Sequence, residues 1–269
     1  MDNDVLKRLQ TTELEILKQI HLFCELNDIK YSLYAGTLLG AVRHKGFIPW
    51  DDDIDIVMTR SEYSKFCTAI KNKPIKGLYF ENYEIDPFCG TCHSKVRKEG
   101  TLLLQEGEDE NIGHHGIWVD IFPLDKISRE RKFADKTRAI GRSIVFLTRS
   151  NVKNSEDQFI KKLIRRIVRF VPINIRMQLL KNKSEQLIYL DELITDNYSW
   201  ASMSTLQNID LYRFPKEITE EYTEIVFEDS KFMTFKDYDE FLKLIYGDYL
   251  QLPPKSEQVF RHSPVKVVF

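Results

Sequence analysis

Apolar positions Leu6, Leu9, Leu14, Leu17, Ile20 and Phe23–Cys24 recur at helical spacing, with Glu and Lys between them. This predicts an amphipathic helix over residues 5–27, ending at Asn27-Asp28. A short strand is expected over 31–35, broken by Gly36-Thr37, and a second helix over 38–43. The stretch 45–50 cannot be helical throughout, because Pro49 lacks an amide donor. Residues 51–58 read as a strand and 60–71 as a helix with Ser61 as its cap. Further strands are expected near 78–83, 92–97 and 117–122, with a Gly- and acid-rich loop over 106–116. Residues 129–150 and 156–196 read as mainly helical. The section 205–269 holds one helix near 238–246 and a Pro-containing tail, and no internal repeat is visible. The pattern predicts an α+β fold: a mixed sheet in residues 1–128, and a mainly helical region, 129–269, packed on it and completing the site.

Of the 269 residues, 42% are hydrophobic and 30% charged, which predicts a packed core rather than disorder. The 39 basic and 41 acidic residues nearly balance, so no basic footprint points to nucleic acid. The N-terminus has no basic start followed by an apolar run, and no stretch of about 20 apolar residues follows. A cytosolic location is therefore expected.

The candidate chemistry concentrates at Trp50-Asp51-Asp52-Asp53-Ile54-Asp55-Ile56-Val57-Met58. In a strand, Ile54, Ile56 and Met58 would share the core face. Asp53 and Asp55 would share the other, with Cα atoms about 6–7 Å apart. Two ionised carboxylates so placed repel each other unless a cation lies between them. Mg²⁺ (or Mn²⁺), which takes one or two carboxylates together with phosphate oxygens, suits the pattern. In Gly116–Pro123, Asp120 is one acid in an apolar strand and needs a partner. A metal shared with Asp53 and Asp55 would supply it; a salt bridge to Lys95 or Arg97 would also do so. Gly36-Thr37 before a helix can form an anion site from backbone amides. Lys95 and Arg97 share a strand face with His93 and can hold phosphate or balance the carboxylates. Arg43, His44 and Lys45 carry a similar reading.

Two patterns point elsewhere. Cys89-Gly-Thr-Cys92-His93 spells a haem-attachment motif, but no export signal accompanies it. Zinc on Cys89, Cys92 and His93 or His114/His115 lacks a second ligand pair, so packed thiols remain the simpler expectation. Asp51, Asp53, Asp55 and Glu62 fall at EF-hand spacing, but Ile56 stands where that loop needs Gly.

The run from Gly36 through Arg43-His44-Lys45-Gly46-Phe47-Ile48-Pro49-Trp50 to Asp55 resembles the signature of the LicD family, which includes bacterial phosphocholine transferases and is related to the fukutin proteins. Lys95-Val96-Arg97, Val119–Asp125, Tyr246–Pro254 and Arg261-His262 are similar to its further motifs. The resemblance implies a nucleotidyltransferase-like fold. It also implies transfer of a phospho-alcohol from a CDP-linked donor such as CDP-choline to a hydroxyl of a cell-surface glycan, releasing CMP. By that resemblance Asp53, Asp55 and Asp120 are catalytic metal ligands. Gly36, Thr37, Arg43, His44, Lys45, Trp50, Lys95, Arg97, Arg261 and His262 are donor-binding candidates, and Asp125 falls in the same motif as Asp120. A nucleotidyltransferase moving NMP from an NTP, or a non-catalytic binding protein, would use the same scaffold.

Residues 159–183 carry eight Lys or Arg and no acid, opposite an apolar helical face. Such a helix either docks on the core with its basic face in water or lies on an anionic membrane surface. The second reading suits a lipid-linked glycan acceptor at the inner face of the membrane.

Overall fold

The computed structural model describes residues 2–149, 168, 170–202, 213–260 and 264–269. Helix α1 (Asn3–Leu26) opens with the Asp2 carboxylate accepting from the Asp4 amide. It buries Leu6, Leu9, Ile16, Leu17 and Ile20 along one face. After β1 (Ser32–Leu33), helix α2 (Ala35–His44) begins earlier than the glycine suggested, so Gly36 and Thr37 lie in its first turn. The strand expected from residue 51 is shorter: β2 spans Asp55–Thr59, and Asp51–Ile54 run into it as irregular chain. The Asp51 amide closes a turn on the Ile48 carbonyl, and the Ile54 carbonyl accepts from the Asp120 amide just before regular pairing begins at Asp55. In α3 (Arg60–Asn72) the cap is Thr59, whose hydroxyl accepts from the Glu62 amide, rather than Ser61.

β3 (Leu78–Glu81), β4 (Ser94–Lys98) and β6 (Trp118–Ser128) complete the central ladder, in the order β1-β2-β6-β4-β3. Among the described strands only β2 and β6 run parallel. β6 is about twice as long as expected and passes through Pro123, a residue that normally ends a ladder. It escapes because β4 pairs with β6 only up to Ile121, and β7 (Tyr198–Ser202) takes over the same edge at Leu124. Pro123 thus sits where neither antiparallel neighbour needs its missing amide. β8 (Phe214–Pro215) pairs with β7.

Two two-stranded sheets lie outside the ladder. β9 (Tyr222–Phe227) and β10 (Ser230–Phe235) turn through Glu228-Asp229, with Glu228 at a left-handed φ of 55°. β5 (Leu102–Gln105) pairs with β11 (Pro264–Val268). None of these four strands was expected from the periodicity. Helices α4 (Arg131–Arg149), α5 (Ile173–Leu193) and α6 (Tyr238–Tyr246) complete the described elements. The architecture is α+β around a mixed sheet. The main core draws from Leu9 on α1, Ile56–Met58 on β2 and Val119 and Ile121 on β6. Phe232 and Phe235 on β10 and Phe241 on α6 join them.

Arg60, fully buried, makes two bonds to Asp125, from Nε at 2.7 Å and from Nη2 at 2.8 Å. This pair ties the start of α3 to the middle of β6. Among the described residues, no helix is long and apolar enough to cross a membrane. The first half of the basic stretch, 159–167 with Arg169, lies outside the described residues, as do Arg261 and His262.

Candidate active site

Register places one polar row across the sheet. Asp55 on β2 stands opposite Asp120 on β6, Asp120 opposite Lys95 on β4, and Lys95 opposite Glu81 on β3. Paired residues point to the same face of a sheet, so these four side chains share one. The next row outward puts Arg97 opposite Trp118.

Asp120 is held by donors on both oxygens. Its Oδ1 accepts from Lys95 Nζ at 2.7 Å and lies 2.8 Å from His93 Nε2; its Oδ2 accepts from the Trp118 indole at 2.8 Å. Burial alone would raise its pKa, but Lys95 and then His93 outweigh that and hold the carboxyl well below the usual carboxylate range. In this structure Asp120 is paired with Lys95 and His93, whereas Arg97 pairs with Glu81 and donates to the Gly116 carbonyl. Asp55 goes the other way: burial, then the charges of Asp53, Asp120 and Asp51, push its carboxyl well up, with only Lys95 opposing.

The acid-rich run forms the rim of this row. One carboxylate oxygen each from Asp51, Asp52 and Asp53 lies within 4.8 Å of the others. Among the described residues this is the only group of three or more His, Cys, Asp or Glu positioned to hold a metal. Asp53 is therefore clustered with its chain neighbours, and Asp55 and Asp120 form a separate facing pair beside them. The run is anchored from two sides. Gln10 on α1 donates to the Asp51 carbonyl at 2.9 Å, and the Asp55 amide donates to Thr37 Oγ1 at 2.8 Å. Gly36 approaches so closely that a Cβ there would lie 2.6 Å from Asp51 Oδ2. Gly36-Thr37 thus shapes the acidic run itself, which the turn-and-helix pattern did not reveal.

Other expected residues fall into separate places. Arg43 turns to the C-terminal segment, donating to the Tyr249 carbonyl at 3.2 Å and from Nε to His44 Nε2 at 3.1 Å. Burial, then Arg43, lowers the His44 pKa. Trp50 packs edge-on against His44, with ring centroids 6.5 Å apart. Lys45 is exposed; its carbonyl accepts from the Glu228 amide, which docks the β9–β10 turn on this loop. Lys95 and Trp118 also line a cleft of about 370 Å³, with Glu81, Arg97, Asp109 and His114.

The cysteine pattern resolves without zinc geometry. Cys89 donates to the Thr91 carbonyl, burial raises its thiol pKa to about 12, and His93 turns to Asp120. The EF-hand spacing is likewise broken, because Ile56 is fully buried within β2.

Sequence reasoning missed two members of this region. His93 was placed on a cationic strand face and weighed as a zinc ligand, but its ring is fixed by Asp120 and its Nδ1 is buried without a hydrogen-bond partner. Glu13 read as a polar position of an amphipathic helix, yet it is 1% exposed. Burial, then Asp53, Asp52 and Asp51, push its carboxyl well up. Its signal was available: at helical spacing Glu13 falls on the same stripe as Leu6, Leu9 and Leu17.

Comparison with known proteins finds relatives of this chain. Along 267 residues, covering 96% of each chain, the protein is 29% identical to a lipopolysaccharide cholinephosphotransferase, LicD, of Haemophilus influenzae. An uncharacterized protein of Rickettsia typhi is 37% identical over 76 residues, which is 28% of this chain and 25% of that one. One of Rickettsia prowazekii is 55% identical over 42 residues, 16% of each. Residues 28–134, which carry α2, the acidic run and the Asp55–Asp120–Lys95 row, match the family described as LicD/FKTN/FKRP, nucleotidyltransferase domain. Over residues 28–134 the chain is therefore similar to a LicD-family domain.

Proposed function

We propose that this protein transfers phosphocholine from a CDP-linked donor to a hydroxyl of lipopolysaccharide, releasing CMP, on a nucleotidyltransferase-like fold. The observation that carries the reading is the facing pair Asp55–Asp120 beside the Asp51–Asp53 cluster. End-to-end similarity to the Haemophilus cholinephosphotransferase supports the choice of group and acceptor.

The residues fit a divalent cation. Three carboxylate oxygens converge within 4.8 Å, Asp55 is crowded by like charge, and Glu13 leaves a buried oxygen without a hydrogen-bond partner. Asp51, Asp52 and Asp53, with Asp55 at their edge, would hold Mg²⁺ or Mn²⁺. When bound, such an ion supplies charge neutralisation at the donor's phosphates.

The chain's own groups do the rest. Lys95 and His93 keep Asp120 ionised and fixed, which makes it a poor proton acceptor. Asp53 rather than Asp120 is then assigned the proton of the attacking hydroxyl. The hydroxyl oxygen forms a bond to the choline-bearing phosphorus, the bond from that phosphorus to the bridging oxygen breaks, and CMP leaves with the electron pair. Lys95, in the same row as Asp55 and Asp120, would offset part of the charge that develops. A lipid-linked acceptor would place the work at the cytosolic face of the membrane.

Product analysis tests this reading. With CDP-choline, Mg²⁺ and lipopolysaccharide, CMP should appear together with choline-bearing product. Pyrophosphate from CTP, with no CMP from CDP-choline, would favour NMP transfer instead.

A further inference from the structure

We infer that Glu13 on α1 is an outer carboxylate of the cation site, acting on the ion through a bound water; this rests on the metal reading above. Glu13 lies before the family-matched residues 28–134 and on a different element from the other acids. It is 1% exposed, and its Oε2 is buried without a hydrogen-bond partner. Gln10, one turn earlier on the same face, donates to the Asp51 carbonyl at 2.9 Å, so this face of α1 packs directly on the acidic run. The charges that act on Glu13 are those of Asp53, Asp52, Asp51 and Asp120, all negative.

An apolar residue would satisfy the helix at this position and would avoid both the desolvation and the repulsion. A buried carboxylate on a helix face that contacts the acidic run makes physical sense once a cation joins them. Glu13 falls outside the tight set of oxygens formed by Asp51, Asp52 and Asp53, so it is not placed as a direct ligand. Mg²⁺ sheds its waters reluctantly and keeps several, and a buried carboxylate without a partner is a natural acceptor for one of them.

The test is Mn²⁺ binding to the full chain, followed by loss of the free-ion electron paramagnetic resonance signal, with melting temperature measured in the absence of metal. Glu13→Gln keeps the size and removes the charge. The variant should melt without metal at or above the wild-type temperature and bind Mn²⁺ about 10-fold to 100-fold more weakly, the loss typical of an outer partner. Should Glu13→Gln fail to fold, Glu13→Met, apolar and of similar volume, carries the same comparison. Wild-type-like Mn²⁺ affinity in a folded variant would overturn the role of Glu13 and leave the metal site standing. Absence of Mn²⁺ binding by the wild type would overturn both.

Discussion

Asp55 and Asp120 face each other on adjacent parallel strands, yet their surroundings drive them in opposite directions. Lys95, His93 and Trp118 surround Asp120 with donors, while Asp55 meets mostly other acids. The pair is a fixed anion beside a frustrated one, and the frustration is what a cation would relieve.

Asp55→Asn should therefore separate stability from function. Because burial and like charge raise the folded-state pKa of Asp55, its ionised form costs stability at neutral pH, and the amide removes that cost. Without metal the variant should melt at or above the wild-type temperature. Its stabilisation by Mg²⁺ should shrink, and turnover should fall by about 100-fold or more. Melting curves with and without Mg²⁺, beside an activity assay, check this. An active Asp55→Asn enzyme would contradict the assignment.

Asp125 shares a sequence motif with Asp120 but does different work. It is clamped to Arg60 in a buried two-bond pair, away from the polar row. Leaving Arg60 without its partner, as in Asp125→Asn, should destabilise the fold by about 3–5 kcal/mol. Activity per folded molecule should persist. Urea unfolding measures the first and specific activity below the transition the second. A fully stable but inactive variant would move Asp125 into the reaction.

Asp191 on α5 gives a pH signature that the site does not share. Burial is the main cause that raises its pKa to about 6, against the opposing charge of Lys126. The unfolded chain should titrate it near 3.9. A raised folded value means that its contribution is intact below about pH 4 and is lost as pH rises to about 6. Asp191→Asn should match the wild type at pH 4 and be more stable at pH 7, by up to about 2–3 kcal/mol. Urea midpoints at the two pH values decide; an equal or lower midpoint for the variant at pH 7 would contradict it.

The sequence exposed the site more readily than the sheet around it. Helices α1, α3 and α6 announced themselves by period, and the acids of the 51–55 run by density. The row Asp55–Asp120–Lys95 needed register, which no single strand carries. The β9–β10 hairpin was hidden because its turn uses Glu228-Asp229 rather than a glycine or asparagine pair. The extension of β6 was hidden behind Pro123, whose tolerance depends on two different neighbours meeting beside it. Asp51–Ile54 read as strand because Asp53 and Ile54 alternate correctly, but a turn from Ile48 to Asp51 precedes them and regular pairing starts at Asp55.

The most direct test follows choline-labelled CDP-choline into purified lipopolysaccharide with Mg²⁺, using wild type and Asp53→Asn. The wild type should place label in the lipopolysaccharide with one CMP released per choline, and both should fall together in the variant. Unlabelled lipopolysaccharide with the wild type, or full labelling by Asp53→Asn, would contradict phosphocholine transfer at this acidic site.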